Sequence, residues 1–186
     1  MTEAKAGTQI SSRRAYAGRL INVDVETVRN PAGATVELEM VRHPGASAVV
    51  PIVSELDSPD PHVLLLRQYR YAADGFIWEI PAGVLEPGEA PEDCARRELQ
   101  EETGATAGHL EHLTTVYTTP GFTDERIHLF LASGLSVADQ RLEADEVIEV
   151  VPRPISGILE MIRDGEVTDC KTIVGVLYVA GFLLKE

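Results

Sequence analysis

The sequence predicts an α/β sandwich with a separate N-terminal antiparallel β-hairpin, and three observations predict it. Apolar runs of strand length recur from residue 48 onward, three segments with helical signals lie among them, and residues 19–40 alternate apolar and polar about one Pro/Gly turn. With 186 residues, 44% hydrophobic and 25% charged, the chain fits one globular domain with a small appendage. The expected division is an arm over residues 1–44 and a main domain over residues 45–186.

Residues 1–17 are small and polar, and part of them is expected to be mobile. Leu20, Val23 and Val25 then alternate with polar residues, Asn30-Pro31-Ala32-Gly33 reads as a turn, and Val36, Leu38 and Met40 alternate with Glu37 and Glu39. A lone hairpin is marginal in water and needs a surface to pack on. Beyond Pro44-Gly45, the continuous runs Ala48–Val53 and Val63–Leu66 read as strands buried on both faces. Phe76–Ile80, Leu113–Tyr117, Ile127–Leu131 and Val147–Val151 read as further strands. Helices are expected over Pro91–Thr103, Ile155–Arg163 and Thr172–Leu184, the last with Ile173, Val176, Leu177 and Ala180 at helical spacing.

Charge and cysteine usage exclude several classes. Lys plus Arg total 16 against 30 Asp plus Glu, a net charge of −14. That argues against a sequence-independent grip on nucleic acid and against docking on an anionic membrane. Cys94 and Cys170 cannot form a disulfide framework. The start lacks the apolar core of a secretory signal, and Ile173–Leu184 is shorter than the ~20 residues of a membrane span. A reduced, cytoplasmic protein is expected.

The most informative stretch runs from Gly83 to Ala105. Pro91 suits a first helical turn, Glu92 and Asp93 favour its positive end, and Gly104 supplies a stop. Glu98, Glu101 and Glu102 then fall on one face, within an arc of about 100°. Glu98 and Glu102 are a like-charge i,i+4 pair near the negative end of the dipole. Arg97 can pair with Glu101, which leaves three carboxylates against one guanidinium. Read alone, such an acidic run is a solvated face. The wider pattern Gly-x5-Glu-x7-Arg-Glu-x2-Glu-Glu-x-Gly, however, fixes seven positions, and its chance occurrence is on the order of 10⁻⁵ per sequence. Clustered carboxylate oxygens suit hard Mg²⁺ or Mn²⁺.

Gly83–Ala105 resembles the complete Nudix box of the Nudix hydrolases, with no substitution at its charged or glycine positions. The resemblance implies an α/β/α sandwich with a mixed sheet, a loop-helix-loop whose glutamates bind Mg²⁺ or Mn²⁺, and hydrolysis within the diphosphate of a nucleoside diphosphate linked to another moiety. Carried over by position, Glu98 and Glu102 would be the main metal ligands, with Glu101 and the backbone carbonyl of Ala82 beside them. Arg97 and Glu101 join the catalytic set, and Arg97 with Glu89 would orient the helix and its loop.

Position 120, sixteen residues past Gly104, is a proline in Pro120-Gly121-Phe122-Thr-Asp-Glu125. By itself Pro-Gly is a turn between strands. Together with the box and Arg67-Gln-Tyr-Arg70, it resembles the marker of the ADP-ribose pyrophosphatase subgroup. That resemblance implies cleavage of ADP-ribose to AMP and ribose 5-phosphate, with GDP-mannose or another nucleoside diphosphate sugar as the alternative substrate. Pro120, Gly121, Phe122 and Glu125 would contact substrate. Arg70 is either a surface ion pair or, with Arg67, a ligand of the phosphates, for which a forked guanidinium is suited. Trp78 and Cys94 read as packed residues.

Glu143-Ala-Asp-Glu146 is on its own a solvated loop. By the resemblance, Glu146, with Glu143 in reserve, would be the general base. Members with an N-terminal arm are commonly homodimers that exchange it, so the same is implied here. A non-catalytic module that senses a nucleotide sugar is the competing class, since fold does not fix function.

Overall fold

The computed structural model describes residues 7–55, 57–142 and 147–184. Two compact units emerge, one made of Met1–Gly45 with Tyr117–Arg126, the other of Ala46–Val116 with Ile127–Glu186.

In the first unit, β1 (Thr8–Ala17), β2 (Asn22–Arg29) and β3 (Thr35–Arg42) form an antiparallel sheet in that order. The expected β2–β3 hairpin is present. Its turn is closed by the Asn30 side chain, which accepts from the amides of Ala32 and Ala34 at 3.0 Å each, while Gly33 takes a φ of 89°. Of the polar stretch expected to be partly mobile, Thr8–Ala17 forms a third strand, and residues 1–6 lie outside the described residues. Charge explains the difference: Arg14 on β1 stands opposite Asp24 on β2 and pairs with it, and Arg42 on β3 pairs with Glu26. Cross-strand ion pairs leave no apolar alternation to read. Asp124 of the 117–126 segment accepts from the His43 amide and from Arg42, both at 2.9 Å, which ties that segment to β3. The buried side chains of this unit, among the described residues, are Asp24, Glu26 and Thr123; none is apolar.

The second unit is built on β4 (Ala46–Pro51), β5 (His62–Arg70), β6 (Gly75–Glu79), β7 (Ala82–Val84), β8 (Ala105–Tyr117), β9 (Arg126–Val137) and β10 (Ile148–Pro154), with α1 (Pro91–Thr103), α2 (Ile155–Arg163) and α3 (Cys170–Phe182). Four strands form a mixed sheet in the order β7-β4-β9-β8, with β4 parallel to β9 and antiparallel to β7; β10-β5-β6 form an antiparallel sheet. Strand alternation divides the interior. Ala48 and Val50, Val63 and Leu65, and Leu129 and Leu131 pack with Ile155, Ile158, Val176 and Val179 of α2 and α3. Val49, Leu64 and Phe130 point the other way, onto Ala95 and Leu99 of α1. Burial of these strands on both faces accounts for their continuous apolar runs and gives the α/β/α layering.

Two helices keep the expected bounds. Pro91 opens α1 and Gly104, at φ 71°, closes it; α2 spans Ile155–Arg163. The third begins at Cys170, two residues early, because the Asp169 side chain caps it by accepting from the Thr172 amide at 2.9 Å. The three-residue β7 and the first half of β8 were not expected. Glycine fills the middle of β7, and β8 is an edge strand whose first half is largely exposed and carries His109 and Glu111. Among the described residues no helix is long and apolar enough to cross a membrane.

Candidate functional site

Helix α1 buries an unusual face. Cys94, Ala95, Leu99 and Thr103 lie inward as an amphipathic helix requires, but Glu98 and Glu102 are also buried, at 8% and 2% exposure. Burying carboxylates is costly unless charged or hydrogen-bonding partners meet them. Both have such partners. Glu102 Oε2 accepts from the Ala82 amide of β7 at 2.9 Å, and Glu98 Oε1 accepts from Arg97 Nη1 at 2.5 Å.

Arg97 organises the surrounding charge. Its Nε and Nη2 grip Glu89 at 2.8 and 2.9 Å, its Nη1 also reaches Glu101 Oε2 at 3.1 Å, and Nη2 donates to the Val84 carbonyl at 3.2 Å. Glu89 in turn accepts from the Glu86 amide at 3.0 Å, closing the turn that leads into the helix. One guanidinium therefore ties the loop, β7 and the carboxylate face of α1 together. Gly83 makes the arrangement possible: a Cβ there would stand 1.9 Å from Glu98 Oε1.

The Arg97 guanidinium holds the Glu89 carboxyl down at about 2, from an ordinary 4.5. A carboxyl lowered in the folded state contributes stability that is present above 4.5 and is lost as pH falls through about 2. Glu89→Gln should therefore lower the melting temperature at neutral pH, with the gap to wild type closing on acidification. Melts whose difference ignored pH across that window would remove Glu89 from the network. Cys94, fully buried on the inward face of this helix, is pushed up to about 11 by burial and stays a neutral thiol.

Arg70 lies on the β5 face that bears Leu64, Leu66 and Gln68, and its Nε and Nη2 bind Glu79 at 2.7 and 2.9 Å. Glu79, 2% exposed, also receives Lys171, and Lys171 binds Asp169 at 3.1 Å. Two cations and two anions thus balance under β6. The hydrogen bonds to Glu79, helped by the fields of Glu79, Glu102 and Asp169 and opposed by burial, raise the Arg70 pKa, so it stays charged. Arg67, three residues earlier, falls on the opposite strand face with its guanidinium over the Phe76 ring, 5.3 Å from the centroid. Strand periodicity does not bring the two arginines together.

The structure thus gathers Ala82, Glu89, Arg97, Glu98, Glu101 and Glu102 in one place. Pro120, Gly121, Phe122 and Glu125 belong to the first unit; there Phe122 is about half exposed, and Glu125 accepts from Thr118 Oγ1 at 2.8 Å. Glu143 and Glu146 lie outside the described residues. Sequence reasoning missed Glu79, Lys171 and Asp169: Lys171 and Glu79 are 92 residues apart, and neither sits in a recognisable pattern.

Buried carboxylate oxygens, a half-exposed third carboxylate and a nearby backbone strand suit a hard divalent cation by donor chemistry. Among the described residues no three acidic, imidazole or thiol side chains converge on one ion position. The positive group that bridges Glu98 and Glu101 here is the Arg97 guanidinium.

A mixed sheet between helical layers, with this loop-helix-loop on one face, defines a Nudix protein: a NUDIX domain matches residues 42–159, and the chain belongs to the Nudix hydrolase family. The particular likeness is to an ADP-ribose pyrophosphatase of Bacillus subtilis (strain 168), 40% identical over 179 residues that cover 95% of this chain and 92% of the relative. A methanol dehydrogenase activator of Bacillus methanolicus is 38% identical, covering 91% and 90%. The crystal structure of an ADP compounds hydrolase superposes with a TM-score of 0.81 over 98% of this chain and 97% of its own, at 21% identity, a likeness of fold.

Proposed function

We propose that this protein hydrolyses the diphosphate of ADP-ribose, giving AMP and ribose 5-phosphate. The observation that carries the reading is the carboxylate set of α1, buried Glu98 and Glu102 with half-exposed Glu101 beside them, in a chain resembling an ADP-ribose pyrophosphatase along nearly its whole length. Water adds to one phosphorus, the bridging P–O bond breaks, and each phosphate leaves with one half of the substrate.

Glu98 and Glu102, with Glu101 and the Ala82 carbonyl, would hold Mg²⁺ or Mn²⁺. When bound, the cation supplies positive charge that screens the diphosphate and makes water a better nucleophile. Arg97 and Glu89 keep the helix and its loop in register. Arg70, fixed by Glu79 and permanently charged, binds phosphate oxygens. Arg67, on the opposite face of β5 with its guanidinium over the Phe76 ring, is the second arginine proposed for the substrate. Pro120, Gly121, Phe122 and Glu125 contact the substrate, and Glu146, or else Glu143, takes the proton from the attacking water. These roles rest on the likeness of their motifs to the subgroup.

The protein is further proposed to be a cytoplasmic homodimer that exchanges its N-terminal sheet. Support comes from a sheet with no buried apolar side chain among its described residues, while Ile10, Tyr16, Leu20, Val36 and Leu38 stand exposed. Both cysteines are free.

The decisive experiment supplies ADP-ribose, GDP-mannose and a further nucleoside diphosphate sugar with Mg²⁺ or Mn²⁺, and separates the products by chromatography. Equal amounts of AMP and ribose 5-phosphate are expected, with kcat/KM for ADP-ribose about tenfold or more above that for GDP-mannose. Preference for GDP-mannose would transfer the assignment to that substrate; binding with no turnover would make the protein a sensor. In the same preparation the mass in solution should be twice the 20.2 kDa of the chain.

A further inference from the structure

The C-terminal end of α1 carries Glu101 and Glu102 where the helix dipole is most hostile to anions. The segment that follows β9 lies across this end. The Ala138 amide donates to the Gly104 carbonyl at 2.8 Å, the Arg141 amide donates to the Glu101 carbonyl at 2.8 Å, and Gln140 Nε2 donates to the Glu102 carbonyl. Helix ends leave up to four carbonyls without intrahelical partners. Here the main chain of both acidic residues, and of the glycine that ends the helix, is met by this one strap.

Gly104 has a second reason to be glycine. Besides its φ of 71°, a Cβ on it would lie 2.1 Å from the Ala138 carbonyl oxygen and 2.9 Å from the Ala138 carbonyl carbon. Those are backbone atoms, so any side chain at 104 would push the strap off the helix.

We propose that Gln140 is a positioning residue for the metal-binding turn of α1: by capping the Glu102 carbonyl it locks the last helical turn and sets the direction of the Glu101 and Glu102 carboxylates. This rests on the reading of those glutamates as metal ligands. Gln140 contributes a donor without a charge of its own, and it acts through the main chain, not by touching ion or substrate. Residues that orient the ligands of a metal typically change its affinity about 10- to 100-fold.

The test uses the full chain and Mn²⁺ itself, with free Mn²⁺ read by electron paramagnetic resonance and no substrate present. Gln140→Ala and the bulk-preserving Gln140→Met should both weaken Mn²⁺ binding about tenfold or more. Amide exchange at Ala138 and Arg141 should quicken while the other strands keep their protection. Gln140→Lys, which keeps a donor beside the negative helix end, should restore most of the affinity. KM for the nucleotide substrate at saturating Mn²⁺ should stay within about twofold of wild type. A control separates the two ideas. If Glu102→Gln weakens Mn²⁺ binding and both donor-less Gln140 variants bind as wild type, the strap is overturned and the metal reading stands. If none of the three changes binding, the metal reading falls and takes the strap with it. Rapid exchange throughout the chain in both donor-less variants would also overturn it, since Gln140 would then serve the fold and not the turn.

Discussion

Glu102→Gln is expected to cut kcat by about 10²- to 10³-fold or more while the fold survives. The side chain is 2% exposed, and Oε2 accepts from the Ala82 amide at 2.9 Å. A glutamine in the same rotamer keeps an oxygen for that amide, so β7 and α1 stay joined. What disappears is a negative charge on the carboxylate face. Circular dichroism and the melting temperature should therefore barely change, while product release per minute collapses and added Mn²⁺ recovers only part of it. Glu98→Gln should act in the same direction, with a larger loss of stability because its carboxylate also receives Arg97 at 2.5 Å. Turnover near wild type in both variants would strike both residues from the ligand set.

Gly83→Ala is the second large effect, and it works from the opposite side. The added Cβ would fall 1.9 Å from Oε1 and 2.0 Å from Cδ of Glu98. Those atoms are the end of a flexible side chain, so the backbone need not yield; the carboxylate does. Glu98 would swing away and loosen its contact with Arg97, at a cost to stability of about 1–2 kcal/mol. Activity should drop about 100-fold, since a displacement of roughly 1 Å at a reacting centre already costs that much. Comparison of melting temperature with kcat decides the matter. A severe fall in melting temperature with proportionate loss of activity would mean the glycine serves the fold and not the carboxylate.

Much of this was legible in the sequence, and the reason differs by element. Helix α1 keeps its expected bounds because Pro91 and Gly104 act through their own backbone chemistry, and the spacing of its glutamates does not depend on what packs nearby. The pairing of Arg97 with Glu101 follows from helical geometry alone. Strand β1 was illegible because cross-strand ion pairs with β2, not its own apolar pattern, recruit it into the sheet. The Glu79–Lys171 pair was hidden for a related reason: it joins β6 to α3 across the core, and neither residue's neighbours in the chain announce it. Arg67 shows the limit of motif reading. It belongs to the same four-residue string as Arg70, yet strand pleating sends the two to opposite sides.

The guanidinium seated between Glu98 and Glu101 offsets part of their repulsion from within the chain, so the native shape is expected to form before any ion arrives. Zinc fingers must find their ion in order to fold. Here an internal cation already faces the acids, so on the proposed function a newly synthesised molecule is expected to reach its mature form in metal-poor surroundings and to gain activity afterwards. Treatment with a chelator should silence such a molecule without unravelling it.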